Sequence, residues 1–387
     1  MADCDLLLTN ATAYLPTGVV EGSWVAVTDG KITEIGSSEP APNSKNTIDA
    51  HGMQLSPGLV DIHCHGGNGG TILPGDSSGT KNGIRAAVQF HGHKGSTRIF
   101  ISAVSMSSRD TMSVIHDVKD LIHSCEGLEG LHLEGPFLNP AKAGAHSSAA
   151  LRLPLKDEVV ELFSAADELA VRITLAPELD GALEAVSFFT AGGWKVSVGH
   201  TQATAEETRL AIEAGATDIT HAFNAMNGIT GREAGPVGAA ASNPKVFIEV
   251  IADGEHLSSE VLRLLFAAIP DQIVLVSDSI SAAGEADGLN RLGEVPISIL
   301  NGVARTPSGS LAGSTKSLSW AVRYLIQTCG VNPAVAIRAA SQNPSKAVSQ
   351  QHRFGSLELG SAGDLILWSQ DFIPLRVWRA GVEIPCA

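Results

Sequence analysis

Six residues able to bind a metal or move a proton stand where short apolar runs end: His63 and His65 after LVDI, Glu134 after LHL, His200 after VSVG, His221 after DIT and Asp278 after LVS. Imidazole nitrogens with a carboxylate oxygen are the donors of a divalent ion such as zinc that keeps one coordination position for water. Iron or another divalent ion also suits these ligand types. His63 and His65 are two apart, so on a strand both rings point one way and Cys64 the other. Asp278, in LVSDSISAAG, can take a proton from a water whose pKa a nearby metal brings to about 7, then deliver it to a leaving nitrogen. A further metal ligand, or an N-cap for the next segment, are the other roles open to it.

These positions need elements that end together. Eight apolar runs recur along the chain: Leu59–His65, Arg98–Val104, Leu128–Glu134, Val171–Ala176, Lys195–His200, Asp218–His221, Val246–Ala252 and Gln272–Ser277. Helical stretches such as Glu206–Ala214 and Ser258–Ala268 fill gaps between them. Near-continuous apolar strands alternating with helices are βα repeats, and eight of them predict an α/β fold, a (β/α)8 barrel over residues 57–355. Such barrels build their active sites at the C-terminal ends of the strands, where all six residues fall. The short runs Leu6–Thr9, Trp24–Thr28 and Ile32–Ile35, with LGSAGDLILW and PLRVWRAGVEIP at the far end, predict hairpins. Residues 1–56 and 356–387 are therefore expected to pair into one small β-sandwich domain.

Composition narrows the function classes. The 387 residues are 44% hydrophobic and 5% aromatic with 40 glycines, enough for a sizeable core and unlike a disordered chain. A net charge of −15, from 26 basic and 41 acidic residues, argues against nucleic-acid or anionic-membrane partners, and an anionic substrate would need local cations. Cys4, Cys64, Cys125, Cys329 and Cys386 are scattered and form no CxxC pair, which fits a reducing compartment. The N-terminal MADCDLLLTN is too acidic and too short in apolar residues for a signal peptide, so a cytoplasmic location is expected.

A family resemblance rests on LEGPF at Leu133–Phe137, GAH at Gly144–His146, VGHT at Val198–Thr201, THAFNAM at Thr220–Met226, DGEH at Asp253–His256, SDS at Ser277–Ser279 and LAGS at Leu311–Ser314. In order and spacing these resemble the N-acetylglucosamine-6-phosphate deacetylases of the amidohydrolase superfamily, across nearly the whole chain. The resemblance implies a metal held by Glu134, His200 and His221, with Asp278 as proton acceptor and donor in hydrolysis of the N-acetyl amide. It also implies sugar-phosphate contacts from Ala145, His146, Asn224, Ala225, Arg232, His256, Leu311, Ala312 and Gly313, and a homodimer in which Arg232 reaches the neighbouring site. Family members differ in keeping the first His-x-His; this chain keeps it, which favours a second metal on His63 and His65 with Glu134 bridging, although those ligands could also stand empty in a one-metal enzyme. Arg232 is a guanidinium on a Gly-flanked loop, with forked donors for phosphate, and His146 and His256 follow glycine turns that let them approach a ligand.

The remaining histidines read as bystanders. His91, His93, His116, His123 and His352 fall in helical or loop stretches and are expected at the surface or at helix ends, whereas His132, two before Glu134, is expected inside the barrel as a satisfied core group or a partner of a ligand. Two other functions share these features: a cyclic amidase or deaminase on the same metal barrel, to which Arg232 and His256 would offer charge with nothing to meet, and a barrel kept only as an interaction scaffold.

Overall fold

The computed structural model describes residues 4–385, so Cys386 lies outside the described residues. Eight parallel strands form the centre: β1 (Leu59–Cys64), β2 (Ser96–Ala103), β3 (Leu128–Glu134), β4 (Val171–Leu175), β5 (Lys195–Val198), β6 (Asp218–Ile219), β7 (Phe247–Ile251) and β8 (Ile273–Val276), each bonded to the next in chain order. The ring closes just past the last strand, where Asp278 N donates to His63 O at 2.9 Å and His65 N to Ser279 O at 2.7 Å. This is the expected barrel.

The strands stop one or two residues short of several expected runs, and the difference has a physical cause. His200, His221 and Asp278 have φ of 48°, 28° and 46°, left-handed backbone that cannot continue a ladder. Each turns the chain out of the sheet at the residue that carries the chemistry.

Around the barrel run α1 (Ser77–His93), α2 (Ser108–Leu121), α3 (Lys156–Ala165), α4 (Ala182–Ala191), α5 (Ala205–Glu213), α6 (Gly235–Ala241), α7 (Ser259–Ala268) and α8 (Leu318–Gln327). Several start on a side-chain cap that answers an orphan N–H of the first turn: Ser107 for α2, Ser258 for α7, Ser317 for α8, and a Thr204–Glu207 capping box for α5. Helix faces and outer strand faces share one large apolar cluster, including Ile99, Ile115, Leu131 and Leu162. Burial of that cluster is the main force holding the layers together. No helix among the described residues is long and apolar enough to cross a membrane.

The two ends of the chain meet in one eight-stranded sheet. Its first strands, Leu6–Leu15, Gly18–Thr28 and Lys31–Gly36, are antiparallel neighbours, and Gln54–Pro57 pairs with Leu365–Trp368, which leads to Pro374–Arg379 and Val382–Ile384. Leu6, Val25, Leu55, Leu365 and Trp378, from both ends, share an apolar core. Arg98 at the foot of β2 fastens this sheet to the barrel, donating from Nε and Nη2 to Asp364 at 2.6 and 2.9 Å and from Nη1 to Glu129 at 2.6 Å. Cys4, Cys64, Cys125 and Cys329 are buried and unpaired.

One element was not expected. Between β8 and α8 a three-stranded antiparallel sheet, Gly288–Leu292, Val295–Leu300 and Val303–Arg305, packs against Ile280 and Ala312 beside the barrel mouth. Its second turn is Asn301-Gly302, with φ of 54° and 73°, a short hairpin signal present in the sequence.

Candidate functional site

At the mouth the six chemical residues converge. His200 Nε2 and His221 Nε2 lie 3.2 and 2.9 Å from Glu134 Oε1, and 3.1 Å from each other. His63 Nε2 and His65 Nε2 are also 3.1 Å apart, with His65 Nε2 at 3.2 Å from Glu134 Oε2. Two trios of ligand atoms result, His63–His65–Glu134 and Glu134–His200–His221, each close enough to hold an ion, and Glu134 belongs to both. Asp278 Oδ1 stands beside the first trio, 3.3 Å from His65 Nε2 and 3.5 Å from His63 Nε2.

The protons on these rings follow from their outer partners. His65 Nδ1 faces Ser102 O at 3.2 Å, His200 Nδ1 faces Lys142 O at 2.7 Å, and His63 Nδ1 faces Glu249 Oε2 at 3.2 Å. Each acceptor requires Nδ1 to donate, which leaves the Nε2 lone pairs of the neutral His63 and His65 rings facing one another, while His221 Nδ1 has no partner among the described residues. Such pairs at 3.1 Å repel unless something positive lies between them. A single proton there makes one nitrogen the donor to the other and leaves one ring charged. A divalent cation accepts both pairs, so the donor set fits a metal.

Charge on the carboxylates points the same way. Burial works to lower the His63 imidazole, but Glu134 and Asp278 outweigh it and raise it well above its ordinary value. Burial would raise the Glu134 carboxyl, yet His63 and His146 hold it well below the usual range. Asp278, which burial would also raise, is lowered by His63 and His65. The cluster is anionic oxygen in search of positive charge.

His146 behaves differently from the ligands. Its Nδ1 accepts from Ser105 N at 3.1 Å, so Nε2–H donates to Glu134 Oε2 at 3.1 Å, and burial pushes it down to about 4. It is a neutral donor that orients the shared carboxylate. Both of its ring nitrogens are engaged inside the protein, and the ring also lines the cavity.

Two glycines in the resembling segments have steric causes. A Cβ on Gly199 would lie 2.7 Å from Thr220 Cβ, and one on Gly313, at φ 69°, would lie 2.8 Å from Asp278 O. Both let the backbone approach the strand ends closely.

Above the donors opens a cavity of about 350 Å³. Ala145, His146, Asn224, Ala225, His256, Leu311 and Gly313 line it, as expected of substrate contacts, together with His65, Glu134, His200, His221 and Asp278. His63 is fully buried beneath it, and Ala312, also buried, holds the Leu311–Gly313 turn through its N–H to Ala304 O at 3.1 Å. His256 donates from Nδ1 to Asp253 Oδ2 at 2.8 Å and lines the cavity; burial acts to lower this ring, but Asp253 raises it and so favours its charged form. Arg232 does not reach the cavity of its own chain: it is exposed on the loop before α6.

Sequence reasoning missed several participants. Lys142 brings a cation to the cavity wall, and Leu292 and Ser310 come from the unexpected sheet and the loop after it. Glu249 and Arg172 carry no local signal, because each is one polar residue inside an apolar strand. His132 is satisfied as expected, between Ser102 Oγ at 2.9 Å and Thr174 Oγ1 at 2.8 Å. His91 stands at a helix end as expected, in the last turn of α1, but is fully buried, its Nε2 2.9 Å from Gly66 O, where α1 packs over Cys64 on the outer side of β1. His116, His123 and His352 are exposed and His93 is partly so.

Comparison with known proteins agrees with this geometry. Residues 55–384 match the model of the Amidohydrolase family. The chain is 31% identical over 332 residues to the N-acetylglucosamine-6-phosphate deacetylase of Vibrio furnissii, covering 85% of this chain and 82% of that one. It is 32% identical over 371 residues to the N-acetylgalactosamine-6-phosphate deacetylase of Escherichia coli O157:H7, covering 94% and 95%. Among solved structures, a variant of the Mycobacterium smegmatis N-acetyl-D-glucosamine-6-phosphate deacetylase in complex with N-acetyl-D-glucosamine-6-phosphate superposes with a TM-score of 0.91 at 31% identity, over 99% of this chain and 100% of that one.

Proposed function

The chain belongs to the amidohydrolase family, and from that premise we propose that it hydrolyses the N-acetyl amide of N-acetyl-D-glucosamine 6-phosphate, giving D-glucosamine 6-phosphate and acetate in amino-sugar catabolism. The observation that carries the reading is the pair of donor trios sharing Glu134 with an ionised Asp278 beside them at the floor of a sugar-sized cavity.

Glu134, His200 and His221 would hold a first divalent ion and His63, His65 and Glu134 a second, zinc being the first candidate and iron the next. Such an ion, when bound, supplies Lewis-acid polarisation of the acetyl carbonyl and makes water acidic enough to attack near neutral pH. Asp278 receives the proton of the attacking water. It then passes that proton to the sugar nitrogen as the C–N bond breaks, so the electron pair of that bond leaves on an amine rather than an amide anion. His256, held by Asp253, and Lys142 offer positive charge to the phosphate or to the carbonyl oxygen.

The proposal includes a homodimer, in which Arg232, exposed on its loop and outside the cavity of its own chain, would meet the phosphate of a neighbouring subunit's substrate. Buried, unpaired cysteines are consistent with a cytoplasmic setting.

The test is acetate release from N-acetylglucosamine 6-phosphate and from its unphosphorylated form, with and without a chelator. Release from the phosphorylated sugar alone, stopped by chelator and restored by zinc, is the expected result; no release from either sugar overturns the reading. The 6-phosphate of N-acetylgalactosamine belongs in the same assay, because the Escherichia coli relative is named for it.

A further inference from the structure

The carboxylate that holds His63 does not come from the mouth. Glu249 lies in the middle of β7, fully buried. Its Oε2 is 3.2 Å from His63 Nδ1 and accepts the His221 backbone N–H at 3.2 Å, while its own carbonyl accepts Ala222 N at 2.7 Å. Its Oε1 pairs with the Arg172 guanidinium, which is 1% exposed. Arg172 Nη1 in turn donates to Ile62 O at 2.9 Å, at the residue preceding His63. One ion pair thus grips the backbone before His63, the ring of His63, and the turn that carries His221.

The charges make this more than packing. A lone buried carboxylate next to a metal centre would itself compete for the ion. Arg172 occupies the second oxygen, so Glu249 has one oxygen left for the rings and none for coordination. A histidine that donates Nδ1–H to a carboxylate has a fixed orientation and a more basic Nε2. Here that Nε2 faces the space bounded by His65 Nε2 at 3.1 Å and by Glu134 Oε1 and Asp278 Oδ1, both at 3.5 Å.

We propose that the Arg172–Glu249 pair is the positioning element of the His63–His65–Glu134 trio and sets how tightly that trio holds its ion. The inference rests on the metal-centre reading above. Its effect on the Glu134–His200–His221 trio is weaker, because Glu249 touches only the backbone of His221 and no ring of that trio.

The experiment counts ions rather than turnovers. Protein loaded with zinc and desalted is analysed for bound metal per chain, and each ion's affinity is read by competition with a chromophoric chelator. The variants are Glu249→Leu, Arg172→Met/Glu249→Leu, and His63→Ala as the one-ion reference. Glu249→Leu alone leaves a buried cation without its carboxylate and destabilises the fold; the double variant removes both charges at similar volume and keeps the test available. The expected result is two zinc ions in the wild type and, in the folded double variant, an affinity for one of them reduced by about 10- to 100-fold, with the other unchanged. A merely structural pair would lower the melting temperature and leave both affinities alone. Two tightly held ions in the folded double variant, or a wild type that takes up only one, overturn the proposal. Wild-type acetate release is scored separately: a wild type with two ions and no hydrolysis sinks the functional reading and leaves this one standing, and the reverse outcome does the opposite.

Discussion

The barrel interior has two polar layers built on opposite rules. In the lower one, Arg172 meets Glu249, His132 sits between Ser102 and Thr174, and Thr174 Oγ1, Thr220 Oγ1 and Ser197 Oγ follow each other at 2.8 and 2.6 Å. These groups bond to one another within the chain, with Arg172 Nε left without an acceptor among the described residues. In the upper layer the imidazoles are equally buried, but their Nε2 atoms point at one another and at carboxylates already rich in negative charge. Burial of polar groups therefore does not mark the site. What marks it is the convergence of imidazole nitrogens and a shared carboxylate on common points, the donor arrangement that a metal ion completes.

That contrast can be broken at several points. The largest effect is expected at Asp278. Asp278→Asn should lower kcat on the order of 10³-fold by removing the proton carrier, with metal content by elemental analysis unchanged; turnover near the wild-type rate would remove Asp278 from the proposed chemistry.

In the lower layer the expected readout is stability rather than rate. Glu249→Leu should cost about 3–5 kcal/mol in denaturant unfolding, because Arg172 is left buried and unpaired, whereas the double change with Arg172→Met should recover most of that loss. Equal losses in the two variants would mean that the layer is held by something other than the pair.

Metal removal acts on the upper layer alone. With free zinc at a hundred times its Kd, binding should stabilise the fold by about 2.7 kcal/mol, so a chelator should lower the melting temperature of the wild type. It should do so much less in a His200→Ala/His221→Ala variant, measured by calorimetry. A chelator effect of the same size in both would place the stabilising ion elsewhere.

The smallest effect concerns pH. Burial would raise the Asp253 carboxyl, but its bonds to His256 bring it from 3.8 to about 2. A folded pKa below the unfolded one contributes stability that is complete above about pH 4 and is lost as pH falls to about 2, here about 2 kcal/mol. Asp253→Asn should therefore lower stability by about 2 kcal/mol at neutral pH and flatten the acid limb, the gap to the wild type closing as pH falls to about 2. An unchanged acid limb would show that the Asp253–His256 pair is not formed in solution.

Much of this protein was legible one segment at a time. Apolar runs bounded by Gly and polar residues marked all eight barrel strands, and Glu134, His200, His221 and Asp278 could be placed at their ends because period and position are local properties. A period of two also sent His63 and His65 inward and Cys64 outward, into the packing under α1. The terminal hairpins were readable for the same reason, and the Asn301-Gly302 turn could have revealed the sheet beside the mouth.

What the sequence could not determine depends on closure of the ring. Which acceptor each Nδ1 finds, and hence where each Nε2 points, follows from strands brought side by side around the barrel: Ser102 from β2 for His65, and Glu249 from β7 for His63. The left-handed backbone at His200, His221 and Asp278, which costs of order 1–3 kcal/mol per residue, is held by the surrounding fold rather than by local preference. The burial of His91 and the distance of Arg232 from its own cavity are decided by packing between elements. The residue types and their spacing specified a set of donors at strand ends. Only the closed barrel turned those donors toward a common point around one shared carboxylate, whereas the layer below spreads its contacts across the barrel.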